Sequence, residues 1–438
     1  MGPLRKLATE YKGAFRQFSR DARLYLLGSF LAGIGANLVS LLLSLYLKRL
    51  GYDEGRIGSF LSIRALGSVL VALPASFLVA RINPRRLLPA AAGLAAAAYA
   101  AQGLAASGAG IGAGILLGGA FNAVFQVAGG PFLMRNSGEE ERMHLFAMNS
   151  AMSFATGIAG SLVAGLLKDG LARATGNEPL AYRATILVGA AFVLAAMLPF
   201  AAIRAGKTGA AASDAGPRRD KAAGTEPYGE KAGAGPVARL FGVRSRVDAR
   251  LYLKILSPGF LVGIGAGLTI PYINLYFKNV FAMSDSAIGA AVAAGQVSTF
   301  IGMAASPALS RRIGRRRSIF WTQALSVPFI LVLTYAKAFP LVLAAYFARQ
   351  ALMNLSTPLQ DNFALSQVPP DQQHFMNALK MLLWTGSWMI AAKASGILIL
   401  EGGFAPSFSA TAALYAASTL LFWLFFLAKG KAPGAKPS

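Results

Sequence analysis

Twelve long apolar segments constrain this chain more than any other feature of its sequence. A helix needs about 20 mostly apolar residues to cross a bilayer, and runs of that kind recur along the chain. They lie at 24–48, 57–80, 87–107, 110–134, 144–167, 181–203, 250–277, 286–310, 318–337, 339–366, 374–400 and 406–428. Since 55% of the residues are apolar and only 14% are charged, against about 25% charged in soluble domains, we predict an all-α integral membrane protein with twelve transmembrane helices.

The net charge of +24 would suit a nucleic-acid-binding protein, but its distribution along the chain favours another interpretation. With the N-terminus in the cytoplasm, 29 lysines and arginines outside the spans fall on the cytoplasmic side and 7 on the opposite side. Cytoplasmic loops of membrane proteins carry such an excess, and anionic lipid headgroups are its natural partners. We therefore predict a multi-pass protein of the cytoplasmic (inner or plasma) membrane, with both termini cytoplasmic and no nucleic-acid partner.

The reactive side chains are too few to predict an enzyme. The chain has no cysteine and two histidines, which excludes disulfides, thiolate zinc sites and cysteine nucleophiles. His144 and His374 fall in different halves of the sequence, each near the start of a span and without a cluster of carboxylates. We expect no catalytic residue, no metal site and no cofactor.

The two sets of six spans are related by an internal repeat. The sequence DARLYL occurs at 21–26 and again at 248–253, just before the first and seventh spans, and GIGA recurs within both spans. The predicted organisation is a cytoplasmic N-terminal segment at 1–23, a six-helix bundle at 24–203, a flexible Gly/Ala/Lys/Pro-rich cytoplasmic linker at 204–249, a second bundle at 250–428 and a cytoplasmic tail at 429–438. Residues 4–18 form either a short helix on the membrane surface or a frayed terminus.

The loops after spans two and eight share a pattern of arginines. The second loop reads Arg-x-Gly-Arg-Arg at Arg312, Gly314, Arg315 and Arg316, and the first keeps arginines at Arg81, Arg85 and Arg86. With the six-plus-six repeat, these loops resemble the signature loop Gly-x-x-x-Asp-Arg-x-Gly-Arg-Arg of the major facilitator superfamily (MFS). The resemblance implies two pseudo-symmetric six-helix bundles, a substrate bound between them and a gating role for the loop residues.

One part of the signature is missing, because Ala80 and Arg311 occupy the positions of the family's aspartate. Two interpretations of the acidic run 139–141 remain open. Its glutamates either replace the aspartate as partners of the first loop or form a solvated acidic segment.

Ionisable residues inside the spans are the first candidates for substrate contact. Arg349 lies ten residues into span ten, about 15 Å along the helix and near the midplane, and it contacts either an anion or helix carbonyl groups. Arg64 is a second candidate, whereas Lys380 is expected to pair with Asp361, the only carboxylate within the predicted spans. The uncharged candidates for the cavity are Asn122, Gln126, Asn274, Asn354 and Trp384. Each of these either faces the substrate or joins helices by hydrogen bonds.

These features together predict a secondary transporter that moves a small solute by alternating access. The scarcity of carboxylates in the spans, together with Arg64 and Arg349, favours an anionic or neutral amphipathic substrate. The alternatives are an exporter of hydrophobic compounds or drugs, a lipid flippase on the same fold and a non-transporting membrane sensor. We expect the chain to act as a monomer, with a small-molecule substrate and membrane lipids as its partners.

Overall fold

The computed structural model describes residues 18–204, 243 and 247–428, and this part of the chain is helical without any strand. Its main helices are α1 (Arg20–Arg49), α2 (Glu54–Arg81), α3 (Pro84–Leu104), α4 (Gly108–Arg135), α5 (Glu139–Thr175), α6 (Glu178–Ala201), α7 (Ala249–Phe281), α8 (Asp285–Ile313), α9 (Arg315–Tyr335), α10 (Phe339–Ser366), α11 (Gln373–Gly402) and α12 (Phe404–Phe426). The predicted fold class is confirmed. Residues 4–17 of the segment expected to form either a surface helix or a frayed terminus, most of the linker at 204–249 and the tail at 429–438 lie outside the described residues.

Within the described residues, all of these helices except α10 are long and apolar enough to cross a membrane. Helix α10 has 28 residues, so its length is sufficient, but its polar side chains include Arg349, Gln350, Asn354 and Asp361. A helix in lipid cannot present such groups to hydrocarbon without a large cost, so they belong against protein or a polar cavity. Helix α10 is therefore an inner helix of the bundle.

The two halves of the chain repeat the same helix pairings. In the first half α1 packs on α5 and α6, α2 on α4, and α3 on α4 and α6. Adding six to each number gives the main pairings of the second half, in which α7 packs on α11 and α12, α8 on α10, and α9 on α10 and α12. The halves contact one another chiefly through α2 against α11 and α5 against α8. This is the architecture that the internal repeat predicts.

The two arginine-rich loops are tight turns at the same end of the bundle, which we call the basic end. Helix α8 stops at Gly314, whose φ of +83° is unfavourable for residues with a side chain, and α9 begins at the next residue. In the first loop the side chain of Asn83 caps α3 by accepting from the Arg85 N–H, and Pro84 opens the helix. The arginine clusters therefore lie directly at helix ends.

Helix α7 is interrupted where α1 is continuous. Residues Ile270–Tyr272 form a single 3₁₀ turn around Pro271, after which the helix continues to Phe281. Proline lacks the N–H needed for the regular helical ladder, and irregular backbone at membrane depth is tolerated where it lines a cavity. Ile270, Pro271 and Ile273 do line the large cavity between the halves.

Candidate functional site

A central cavity of about 840 Å³ lies between the two halves. Its wall comes mainly from α1, α2 and α4 of the first half and from α7, α10 and α11 of the second, and it reaches His374 and Phe375 near the basic end. The polar and aromatic side chains on this wall include Asn37, Ser40, Arg64, Ser68, Gln126, Asn274, Gln350, Asn377, Trp384 and Trp388. The volume suits a small organic molecule.

A second cavity of about 540 Å³ lies within the second half, between α7, α10, α11 and α12. We call it the inner cavity. Ile270, Gln350, Asn377, Met381 and Trp384 line both cavities, so the two spaces meet along α10, α11 and the interrupted turn of α7. The sequence did not predict this compartment.

The structure divides the candidate residues between these cavities. Arg64, Gln126, Asn274 and Trp384 line the central cavity, whereas the inner cavity is lined by Arg349, Asn354, Asp361, Lys380 and again Trp384. Asn122 accepts a hydrogen bond of 2.9 Å from the Gln126 amide and supports that side chain from the adjacent turn.

Asn274 and Asn354 also make hydrogen bonds with helix backbone. The Asn274 amide donates to the Leu41 carbonyl across the two halves at 2.9 Å, and Asn354 donates to the Gln350 carbonyl of its own helix at 2.8 Å. Both side chains therefore combine a place on a cavity wall with a structural bond.

Arg349 is a buried cation without an acidic partner. Its side chain is 3% exposed, and its two terminal nitrogens donate to the Gln350 amide oxygen at 2.8 Å and the Tyr415 hydroxyl at 2.7 Å. The Nε atom is buried without a hydrogen-bond partner. None of the ion pairs among the described residues includes Arg349, so its charge is balanced only by neutral dipoles.

The other charges near the cavities are arranged differently. Lys380 forms an ion pair with Asp361 on the preceding helix, so these two charges cancel. Arg64, on the opposite wall of the central cavity, donates to the Ser40 hydroxyl at 2.9 Å and takes part in none of the ion pairs of the described residues. Each half therefore contributes one arginine without a carboxylate partner to the described walls of the two cavities.

The loop arginines of the second half are bound to neighbouring helix ends. Arg315 donates to the side chains of Asn362 and Ser366 near the end of α10, and Arg316 donates to the Phe426 carbonyl at the end of α12 at 3.4 Å. Cations are stabilised at helix C-termini, where carbonyl groups lack helical partners. Arg312 of the second loop is exposed, and so are the three arginines of the first loop, Arg81, Arg85 and Arg86.

The acidic run 139–141 lies at the start of α5. The Glu141 carboxylate accepts from the Gly138 N–H at 3.0 Å and caps that helix. The side chains of Glu139 and Glu140 lie outside the described part of the structure.

At the end opposite the basic end, which we call the closed end, a buried charge cluster joins the halves. The Asp285 side chain on α8 is 0% exposed, and its carboxylate lies 2.5 Å from Lys168 Nζ of α5 and 2.9 Å from Lys278 Nζ of α7. It also accepts from the Tyr182 hydroxyl of α6 at 2.6 Å. Next to it Asp169 accepts from the Ser286 N–H at 2.7 Å. Most of these bonds connect one half to the other.

The helix backbones touch around this cluster. A Cβ added at Gly165 would lie 2.3 Å from the Asp285 carbonyl oxygen, and one at Gly289 would lie 2.4 Å from the Ser161 carbonyl oxygen. On the other side of the interface, a Cβ at Gly396 would lie 2.3 Å from the Glu54 carbonyl oxygen. Small residues allow helices in lipid to approach this closely, so both pairs of contacting helices are sealed at the closed end.

The sequence-based prediction that Asp361 is the only carboxylate within a span is wrong. Helix α5 continues to Thr175 rather than ending at 167, and α8 begins at Asp285, so Lys168, Asp169 and Asp285 all lie within helices. The prediction ended one span just before Lys168 and began another just after Asp285, but opposite charges from two helices can be buried together when they pair. A lysine directly after one apolar run and an aspartate directly before another were the only signals in the sequence.

The sequence matches the Major Facilitator Superfamily twice, over residues 25–257 and 255–438, which together cover nearly the whole chain. The search against curated proteins gave no match. The structure is similar to solved transporters. A crystal structure of a mutant of the nucleoside transporter NupG has a TM-score of 0.72 at 11% identity, covering 93% of this chain and 100% of that one.

Two further structures have TM-scores of 0.70. One is a bacterial homologue of the iron transporter ferroportin in an inward-facing state, at 16% identity, covering 93% of this chain and 98% of its own. The other is a bacterial homologue of the human lysosomal transporter Spinster in an inward-facing and unoccupied conformation, at 14% identity, covering 92% and 96%. At these identities the similarity shows the fold and does not specify a substrate.

Proposed function

Because this chain belongs to the Major Facilitator Superfamily of membrane transporters, we propose that it is a secondary transporter that moves a small anionic or neutral amphipathic solute by alternating access. The observation that carries the proposal is the difference between the two ends of the bundle. The central cavity reaches the basic end at His374, whereas at the closed end the halves are joined by the buried Lys168–Asp285 pair. A cavity closed at one end and extended towards the other corresponds to one of the two states that alternating access requires.

The orientation follows from the distribution of basic residues. Arginines concentrate at the basic end, and cytoplasmic loops carry such an excess. We therefore assign the basic end to the cytoplasm, which places both termini there and makes the described conformation inward-facing. Anionic headgroups of the inner leaflet are the partners that this surface would attract.

The charges on the cavity walls support the substrate class. Among the described residues, the titratable side chains that line the central cavity are Arg64, His374 and Tyr346, and none of them is a carboxylate. A cavity that takes up organic cations needs negative charge, because a buried cation without a partner is costly. The walls combine one cation with amides, indoles and aliphatic side chains, which suits an anion or a neutral molecule with an apolar part.

The test is transport by the purified protein in liposomes, with matched anionic, neutral and cationic compounds and a fluorescent phospholipid. We expect uptake of anions or neutral amphiphiles that Arg64→Gln reduces. Lys393→Gln is the matched control, because Lys393 is an exposed cation of α11 that lines neither cavity. Transport of cations alone, undiminished in Arg349→Ala, would contradict the substrate class and favour a hydrophobic-compound exporter. Movement of the phospholipid alone would favour a flippase.

A further inference from the structure

We propose that the inner cavity is a binding site for an organic carboxylate with an apolar tail, and that Arg349 holds the carboxylate. This inference deepens the proposed transport function by naming the substrate class and the place where its head is held. It is tested by binding rather than by transport, so the two proposals can fail separately.

The inner cavity carries one positive charge that no described acidic side chain balances. Its described lining residues include one arginine, one lysine and one aspartate, and the lysine and aspartate are Lys380 and Asp361, which pair with each other. The remaining charge belongs to Arg349, which is held by neutral groups only. A buried ion without a counterion is costly unless a charged ligand or water compensates it. One anionic group restores neutrality, so the site suits a monoanion.

Two of the described side chains that line this cavity each carry a buried polar atom without a hydrogen-bond partner. One is Nε of Arg349, a donor, and the other is the amide oxygen of Gln323, an acceptor on α9. Gln323 is 2% exposed. Buried polar atoms are almost always paired in proteins, so a ligand that accepts at Arg349 and donates at Gln323 satisfies both. A carboxylate together with an amide N–H or a hydroxyl has this combination.

The rest of the wall of the inner cavity is predominantly apolar. Its aliphatic and aromatic side chains include Ile255, Leu256, Phe260, Val262, Met353 and Phe422. Such a surface gains free energy by covering an apolar chain and removing it from water. Trp384 and Met381 line both cavities, so a ligand has a path from the central cavity to Arg349.

A matched set of probes separates these contributions. N-octanoylglycine has a carboxylate, an amide N–H and an apolar chain. Its methyl ester lacks the charge, octanoate lacks the amide N–H, and N-octanoyl ethylenediamine replaces the anion with a cation. Binding to the full chain in detergent is measured by titration calorimetry.

We expect the order of affinity to be N-octanoylglycine, octanoate, methyl ester and cation. The acid should bind about ten- to a hundredfold more tightly than its ester, which is the range of a charge-assisted hydrogen bond. Arg349→Gln should remove this preference, and Gln323→Leu should remove the advantage of N-octanoylglycine over octanoate. Lys393→Gln should change neither. Equal affinity for acid and ester in the unaltered protein would overturn the proposal without any need for a variant that folds.

The position of the tail has its own test. The chain has four tryptophans, of which Trp384 lines both cavities and Trp388 lines the central cavity alone. An N-octanoylglycine brominated at the end of its chain should quench the fluorescence of Trp384. Quenching should therefore fall in Trp384→Phe and persist in Trp388→Phe. The opposite result would place the ligand in the central cavity and overturn the assignment to the inner cavity.

Discussion

Lys168 and Asp285 come from opposite halves of the molecule, yet their charged atoms lie 2.5 Å apart with both side chains almost completely buried. Tyr182 and Lys278 complete the surroundings of the same carboxylate. The pair can remain buried only while the halves stay together at the closed end, because separating them would expose both charges to water. Its integrity is therefore coupled to the conformation of the transporter.

The first prediction is that Asp285→Asn opens the closed end. Removing one member of a buried pair costs up to about 3–5 kcal/mol. Lys168 then loses its shortest ion pair and keeps only the longer contacts with Asp169 at 3.3 Å and Glu178 at 3.7 Å, and about 1.4 kcal/mol corresponds to a factor of ten. Since the chain has no cysteine, Ser44→Cys places a single thiol on the wall of the central cavity. Labelling by an impermeant maleimide added at the closed end should rise about tenfold or more.

The control for this experiment is Lys48→Gln. It removes an ion pair with Glu54 that lies within the first half and does not join the halves. Equal labelling of the Asp285→Asn and Lys48→Gln proteins would show that the buried cluster does not hold the closed end.

The second prediction concerns close packing of α5 on α8. Gly165→Ala places a methyl group 2.3 Å from the Asp285 carbonyl oxygen, so the two helices must separate, at a cost of about 1–3 kcal/mol for overpacking. We expect a lower melting temperature and, in the Ser44→Cys background, increased labelling of the single thiol from the closed end. Gly170→Ala is the matched control on the same helix, because its added methyl group meets nothing within 4 Å, and equal effects of the two variants would refute the packing argument.

The third prediction is that the arginines of the second loop affect rate rather than affinity. Arg315 ties the start of α9 to the end of α10 and lines neither cavity. Arg315→Gln should therefore lower the transport rate several-fold while the substrate Kd stays the same, and Arg312→Gln is expected to act in the same way. Arg317, an exposed neighbour, provides the control substitution. A large change in Kd at an unchanged rate would assign these arginines to the substrate site instead.

The fourth prediction is the topology. Reporters fused after residues 54, 174 and 284 should report the external side, and those fused after 84, 225 and 314 the cytoplasmic side, because the basic loops stay inside. An external signal at 225 would contradict the assignment of the basic end to the cytoplasm.

The sequence was informative where a short stretch of the chain or a single residue determines the local structure. Hydropathy located the helices because lipid requires about 20 apolar residues in a row, and the glycine of the Arg-x-Gly-Arg-Arg pattern, Gly314, has the positive φ of the turn between α8 and α9. Arg349 was identified because a charge near the middle of a predicted span is costly in lipid. Its partner Tyr415 was not, because it lies 66 positions away and nothing in the local pattern connects the two residues.

The closed end and the inner cavity could not be predicted for the same reason. Lys168 and Asp285 are separated by more than a hundred positions, and each lies beside an apolar run where loop charges are common. The inner cavity depends on how α7, α10, α11 and α12 diverge, which is a property of tertiary packing. Pro271 marks the interruption of α7, but it lines the central cavity rather than the inner one.

The turn at Ile270–Tyr272 gives the two halves unequal mechanical properties. Helix α1 is continuous from Arg20 to Arg49, so it can move as one rigid helix. Helix α7 has a joint at the depth of the cavities, so its outer segment, which carries Lys278, can swing while the inner segment stays in place. We therefore expect the two halves to change shape unequally when the closed end opens. Most of the helix bending should occur in the second half.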